Sequence, residues 1–88
     1  MNSERWRKFT KSEQIGAIGA ELMRASVWEG KDKEKVAASF ERAISLVDAA
    51  IGDPRWHALI HMLLVLRDDI AELYAGRRRN SVAVYNAL

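Results

Sequence analysis

"IGDPRW", Ile51 to Trp56, decides the fold. Gly52 is a natural stop for a helix arriving from its N-terminal side. Asp53 has the side chain to cap a helix that follows, and Pro54 suits that helix's first position, where the amide it lacks would find no partner anyway. One helix ends and the next begins with no room for a crossover, so the two must run antiparallel.

The flanking residues complete the pattern. Upstream, Val36, Phe40, Ala43, Ile44, Val47 and Ile51 fall within about a third of a helix circumference, with Glu41, Arg42 and Asp48 outside that arc. Asp32 can cap this second helix, and Gly30 is the stop for a first. That first helix opens with Thr10 and Glu13 at the spacing of a capping box and carries the stripe Ile15, Ile18, Leu22 and Ala25. Gly16, Gly19 and Ala20 weaken its propensity and would let a neighbouring helix approach closely. Downstream, a third helix is expected from Pro54 to about Tyr74, with Gly76 as its stop. At about 100° per residue, Trp56, Leu59, Ile60, Leu63, Leu66, Ile70, Leu73 and Tyr74 share its apolar face. The expected fold is all-α, an antiparallel up-down-up three-helix bundle over residues 1–76, with residues 77–88 a basic tail or short fourth helix.

Composition limits what such a domain can be. Its 88 residues make one small domain, and 49% hydrophobic with 30% charged residues is an ordinary globular balance. There is no cysteine, hence no disulfide framework, thiolate zinc site or thiol nucleophile, as suits a reducing compartment such as the cytoplasm. "MNSERWRKFTKSEQ" lacks the apolar core of a secretion signal, and "MLLVL" is too short to span a bilayer. The net charge of +2 is unevenly placed, with Arg5, Arg7, Lys8 and Lys11 near one end and Arg77, Arg78 and Arg79 near the other, around a mildly acidic body. Trp6, Phe9 and Trp56 are expected to lid one end of the core, and Trp28 to close the other.

The two histidines, His57 and His61, stand at the i, i+4 spacing by which imidazoles on one helix grip a metal, but on the polar side of the third helix. A zinc peptidase would need a glutamate directly after the first, where Ala58 stands, and Asp68 is too far along the axis to share an ion. Only adventitious metal binding at His57 and His61 is expected, and no cofactor. Arg55, five residues, then His61 also resembles the arginine–histidine motif of HEPN-type helical ribonucleases, in which histidine moves the 2′-hydroxyl proton and arginine neutralises phosphate. That is the enzymatic alternative.

Assembly is the stronger hint. "MLLVL" wraps apolar residues around the whole third helix and puts Leu64 and Val65 on the same side as His61 and Asp68. Either "SVAVYNAL" covers this surface or a second copy does, most simply through a two-fold dimer. A second hint is a basic end: the up-down-up order brings Lys31, Lys33 and Lys35 to the same end as Arg77, Arg78 and Arg79, where phosphate, nucleic acid or an acidic partner could bind. The macrodipoles of the helices ending there also favour positive charge, so the patch has a purely stabilising explanation as well.

"WRK" before the first helix, "IGAELMRA" within it, "FERAISLVD" in the second, and "DPRW" with "LLVLRD" in the third resemble a family of short prokaryotic all-helical proteins, over about residues 5–74. That resemblance implies a helical fold and no established activity. The reading as a whole is a small non-catalytic interaction or assembly module, self-associating through its third helix. The alternative is a nucleic-acid-directed protein.

Overall fold

A computed structural model describes residues 3–76. Four α-helices follow one another: α1 (Ser3–Arg7), α2 (Lys11–Trp28), α3 (Lys33–Ile51) and α4 (Ile60–Tyr74), with a 3-10 helix, Pro54–Leu59, leading into α4. The capping residues act as their positions require. Thr10 Oγ1 accepts the Glu13 amide at 3.1 Å, and the Glu13 carboxylate accepts the Thr10 amide at 2.9 Å. That backbone hydrogen bond, with the hydroxyl behind it, holds the Glu13 carboxyl below its ordinary range. Asp32 accepts the amides of Glu34 and Lys35 at the start of α3. Gly30 and Gly76 follow α2 and α4 at φ 76° and 78°, the left-handed conformation that a helix stop of this kind needs.

α3 is the central helix, packed against α2 and α4. Side chains bridging the helices fix their directions. Glu21 meets Arg42 and Gln14 meets Asp53, so α2 and α3 are antiparallel. Arg67 meets Asp48 and Tyr74 meets Glu41, so α3 and α4 are antiparallel too. The up-down-up bundle is therefore the observed fold. Its core joins Ile18, Leu22 and Ala25 of α2, Phe40, Ala43, Val47 and Ala50 of α3, and Leu63, Leu66, Ile70 and Leu73 of α4.

The α3–α4 connection is anchored by a buried polar cluster. Gln14, fully buried, donates its amide to the Trp6 carbonyl at 3.0 Å and to Asp53 Oδ2 at 3.4 Å, and its Oε1 accepts the Trp56 indole N–H at 2.5 Å. Asp53 is 3% exposed. Arg55 satisfies it by donating from Nε to both carboxylate oxygens and from Nη2 to Oδ2 at 2.7 Å, while the Arg55 amide binds Oδ1. The same guanidinium reaches back to the carbonyls of Phe9, at 2.8 Å, and Arg7, at 3.1 Å. These bonds from Arg55 hold the Asp53 carboxyl far below the ordinary carboxylate range. They tie α1, α2, the end of α3 and the 3-10 helix together. Above the cluster, Trp6 and Phe9 meet edge-to-face at 5.9 Å, and Lys11 lies over the Trp56 ring at 5.1 Å. Trp6 and Trp56 are each 2% exposed, so the aromatic lid forms as expected.

Three features differ from the sequence reading. α1 was not foreseen: five residues fold as a helix because Trp6 is buried and its carbonyl is captured by Gln14. The single third helix is replaced at its start by a tight 3-10 segment, whose first turn is held by Asp53, Arg55 and Trp56. Winding at about three residues per turn breaks the 100° register, and Leu59, expected on the core face, is 41% exposed; Tyr74, also expected there, is 49% exposed. Finally, Gly16 does not admit a neighbouring helix: it faces outward, and a Cβ added there would meet nothing within 4 Å.

Gly16→Ala should therefore stabilise the fold by about 1 kcal/mol, read as a higher urea midpoint. Gln14→Leu leaves the buried Trp56 indole N–H without its partner, while the Trp6 carbonyl keeps the Phe9 amide, and should cost about 1–3 kcal/mol in the same assay. Because the Asp53 pKa is depressed on folding, its contribution is complete above the ordinary carboxylate range and fades as pH falls below about 4 towards the depressed value. Acid unfolding followed by circular dichroism should accordingly be shallower in Asp53→Asn than in wild type, though the variant starts from lower stability at neutral pH.

Candidate functional site

The outward face of α4 is the most unusual surface on the molecule. Buried residues of α4 form one narrow stripe, Leu63, Leu66, Ile70 and Leu73. At about 100° per residue, His61, Leu64, Val65 and Asp68 occupy a sector on the opposite side, and all four are exposed. Leu64 is 45% and Val65 58% exposed, and Met62 and Leu59 are exposed outside that sector. The sequence reading placed the first four residues together, and the structure does so. It missed Met62 and Leu59. Met62 lies at the edge of the core stripe on a helical wheel, and Leu59 lies at the end of the 3-10 segment before α4 begins.

On its other side α4 is pinned to α3 by polar contacts that leave the outward face undisturbed. Arg67 Nε donates to Asp48 Oδ1 at 2.6 Å, and Asp48 raises the arginine's pKa through this bond. The Tyr74 hydroxyl donates to Glu41 at 2.9 Å, which pushes the phenol's pKa up. The orientation of the apolar sector is thus set by contacts at both ends of the helix.

His57 lies on the 3-10 helix and His61 on the first turn of α4, both exposed. Among the described residues no group of three histidine or acidic side chains is placed to hold a metal ion. Arg55 and His61 are not a matched pair of open groups: the Arg55 guanidinium is engaged by Asp53 and by the carbonyls of Phe9 and Arg7, and Asp53 raises its pKa. To neutralise a substrate phosphate it would have to leave the buried carboxylate that depends on it. Arg55 sits in the first turn of the 3-10 helix with its side chain 40% exposed, and the sequence signal for its pairing is Asp53 two residues before it, a carboxylate able to cap and pair at once.

At the other end of the bundle, Gly30, Lys33, Tyr74 and Gly76 line a shared groove of about 330 Å³, so the α2–α3 connection does meet the end of α4. Lys31 and Lys33 are exposed there, while Lys35 is stacked over the Trp28 ring at 3.7 Å. Arg77, Arg78 and Arg79, and with them the "SVAVYNAL" segment, lie outside the described residues.

Two further surfaces were not anticipated. A groove of about 420 Å³ beside α3 is lined by Glu21, Glu41, Arg42, Ser45 and Leu46 among others. Its buried carboxylate, Glu21, is already bonded through both oxygens, to Arg24 and to Arg42. On α2, Met23 and Val27 are 39% and 57% exposed in line with Gly16 and Ala20. No described helix is long and apolar enough to cross a membrane. Compared with family models, with curated proteins and with solved structures, the chain matches none, and the likeness to short prokaryotic helical proteins rests on the motifs quoted above.

Proposed function

We propose that this protein is a non-catalytic helical interaction module that self-associates through the outward face of α4. The observation that carries the reading is the joint exposure of Leu64 and Val65 on a helix whose other side already fills the core. Apolar surface left in water costs about 25 cal/mol per Å², and a contiguous patch on a small domain is the mark of an interface more than of packing. A two-fold dimer covers it with an identical patch. The cysteine-free composition fits action in a reducing compartment, and we place the module in the cytoplasm.

A second reading is supported by the meeting of the Lys31–Lys35 connection with the end of α4, next to which Arg77, Arg78 and Arg79 follow in sequence. A basic end of this kind would bind nucleic acid or another polyanion through phosphate contacts, with an affinity that falls steeply as salt rises. It is compatible with self-association, since the two surfaces are distinct.

Light scattering across a wide concentration range tests the main reading. The wild-type mass should climb from 10.0 kDa towards twice that value, whereas the double variant Leu64→Glu, Val65→Glu should stay monomeric with unchanged helical circular dichroism. A wild type that remains a monomer up to about millimolar concentration, the affinity limit of weak specific contacts, overturns it.

A further inference from the structure

The outward face of α4 is self-complementary in charge as well as apolar, and its residues are spaced symmetrically. Leu64 and Val65 are adjacent, His61 lies three residues before Leu64, and Asp68 lies three residues after Val65. The helix places His61 and Asp68 near the middle of the exposed sector, with Leu64 to one side and Val65 to the other. A base and an acid are thus equidistant from one midpoint, about one helical turn on either side of it.

Resting on the self-association proposed above, we infer that two copies pair their α4 helices antiparallel about a two-fold axis through the midpoint between Leu64 and Val65. In this register His61 of each copy faces Asp68 of the other, so two histidine–carboxylate pairs form, and Leu64 and Val65 meet their own equivalents beside the axis. A parallel pairing would instead set His61 against His61 and Asp68 against Asp68, two like-charge contacts when the imidazoles are charged. The pattern therefore selects both direction and register. One helix on one helix is a small contact, so the dimer is a weak, exchanging one.

The histidine gives the dimer a pH dependence. Pairing with Asp68 favours the charged imidazole, so association is stronger with His61 protonated and weakens as pH rises. Other groups near this surface do not supply the effect. From α3, Asp48 and Glu41 are engaged with Arg67 and Tyr74 on the far side of α4. From the 3-10 helix, Arg55 is tied to Asp53, and His57 carries the same sign of charge as His61. On α4 itself, half-buried Asp69 falls at the margin of the sector, and half-buried Glu72 falls within it one turn beyond Asp68, a carboxylate that cannot gain positive charge as pH falls.

Because the chain has no cysteine, single cysteines report the geometry directly. His61→Cys and Asp68→Cys proteins, mixed and oxidised at a concentration where wild type is dimeric by light scattering, should give the mixed disulfide, while His61→Cys alone should not. The two residues 61 are separated by about 10 Å along the axis, beyond the reach of a disulfide. Each mixed dimer keeps one native His61–Asp68 pair. As a second measurement, His61→Asp should weaken the dimer by more than about tenfold, and adding Asp68→Lys to it should restore affinity and abolish the pH dependence. His61→Cys protein that cross-links to itself, or a double charge swap that fails to restore affinity, overturns the antiparallel register and leaves self-association standing. A wild type monomeric at every concentration overturns both.

Discussion

A buried carboxylate organises this protein. Asp53 sits at the junction of α3 and the segment leading to α4, 3% exposed, where an ionised group without partners would cost several kcal/mol. The chain meets that cost with donors drawn from three places: the Gln14 amide of α2, the Arg55 guanidinium and the Arg55 main-chain amide. Each donor brings an element with it. Gln14 holds the Trp56 indole and the Trp6 carbonyl, and Arg55 holds the carbonyls that end α1. The 3-10 winding of Pro54–Leu59, the docking of α1 and the burial of two tryptophans are consequences of satisfying one side chain.

That constraint also sets the rotation of α4, and hence which residues face outward. With Trp56 drawn to Gln14 at the start, and Arg67 and Tyr74 drawn to α3 further along, the helix has one rotational setting. In that setting Leu63, Leu66, Ile70 and Leu73 complete the core. Leu64 and Val65 are left on the surface even though "MLLVL" is apolar throughout. Neither side chain contributes to the core formed by the described residues. The two grooves of the bundle contrast with this face: in one, Glu21 already has both its arginine partners, and in the other, Lys33 stands among largely apolar neighbours.

What was legible in the sequence was local. Thr10 with Glu13, Gly30, Asp32, and Gly52 with Asp53 each act within a few residues of themselves, and each helix boundary they announce is found. The core stripes were equally readable, because 3.6-residue periodicity needs no tertiary information. What escaped depends on distant partners. The bonds from Gln14 to Asp53 and from Arg55 to Phe9 and Arg7 span 39, 46 and 48 residues. Asp53 two residues earlier signals the pairing of Arg55, but no local pattern shows that the same guanidinium reaches Phe9 and Arg7. One clue was available: Gln14 lies on the same face as Ile18, Leu22 and Ala25, and a lone amide on an apolar stripe announces a buried polar contact. For the candidate surface, the grouping of His61, Leu64, Val65 and Asp68 was legible from helical spacing alone, and the exposure of Leu59 was not.

The clasp formed by Arg55 also imposes an order on the birth of the molecule. A chain is made N-terminus first, so α1 is complete well before Arg55 and Trp56 are made. The α2–α3 hairpin is built from contacts close in sequence and can collapse early. Trp6 and Phe9 cannot be sealed at that stage, because the guanidinium that holds the end of α1 has not appeared. Two large aromatic side chains therefore stay open to water, and to any chaperone that reads such groups, until synthesis has passed residue 56. The segment made first is among the last to be locked in place.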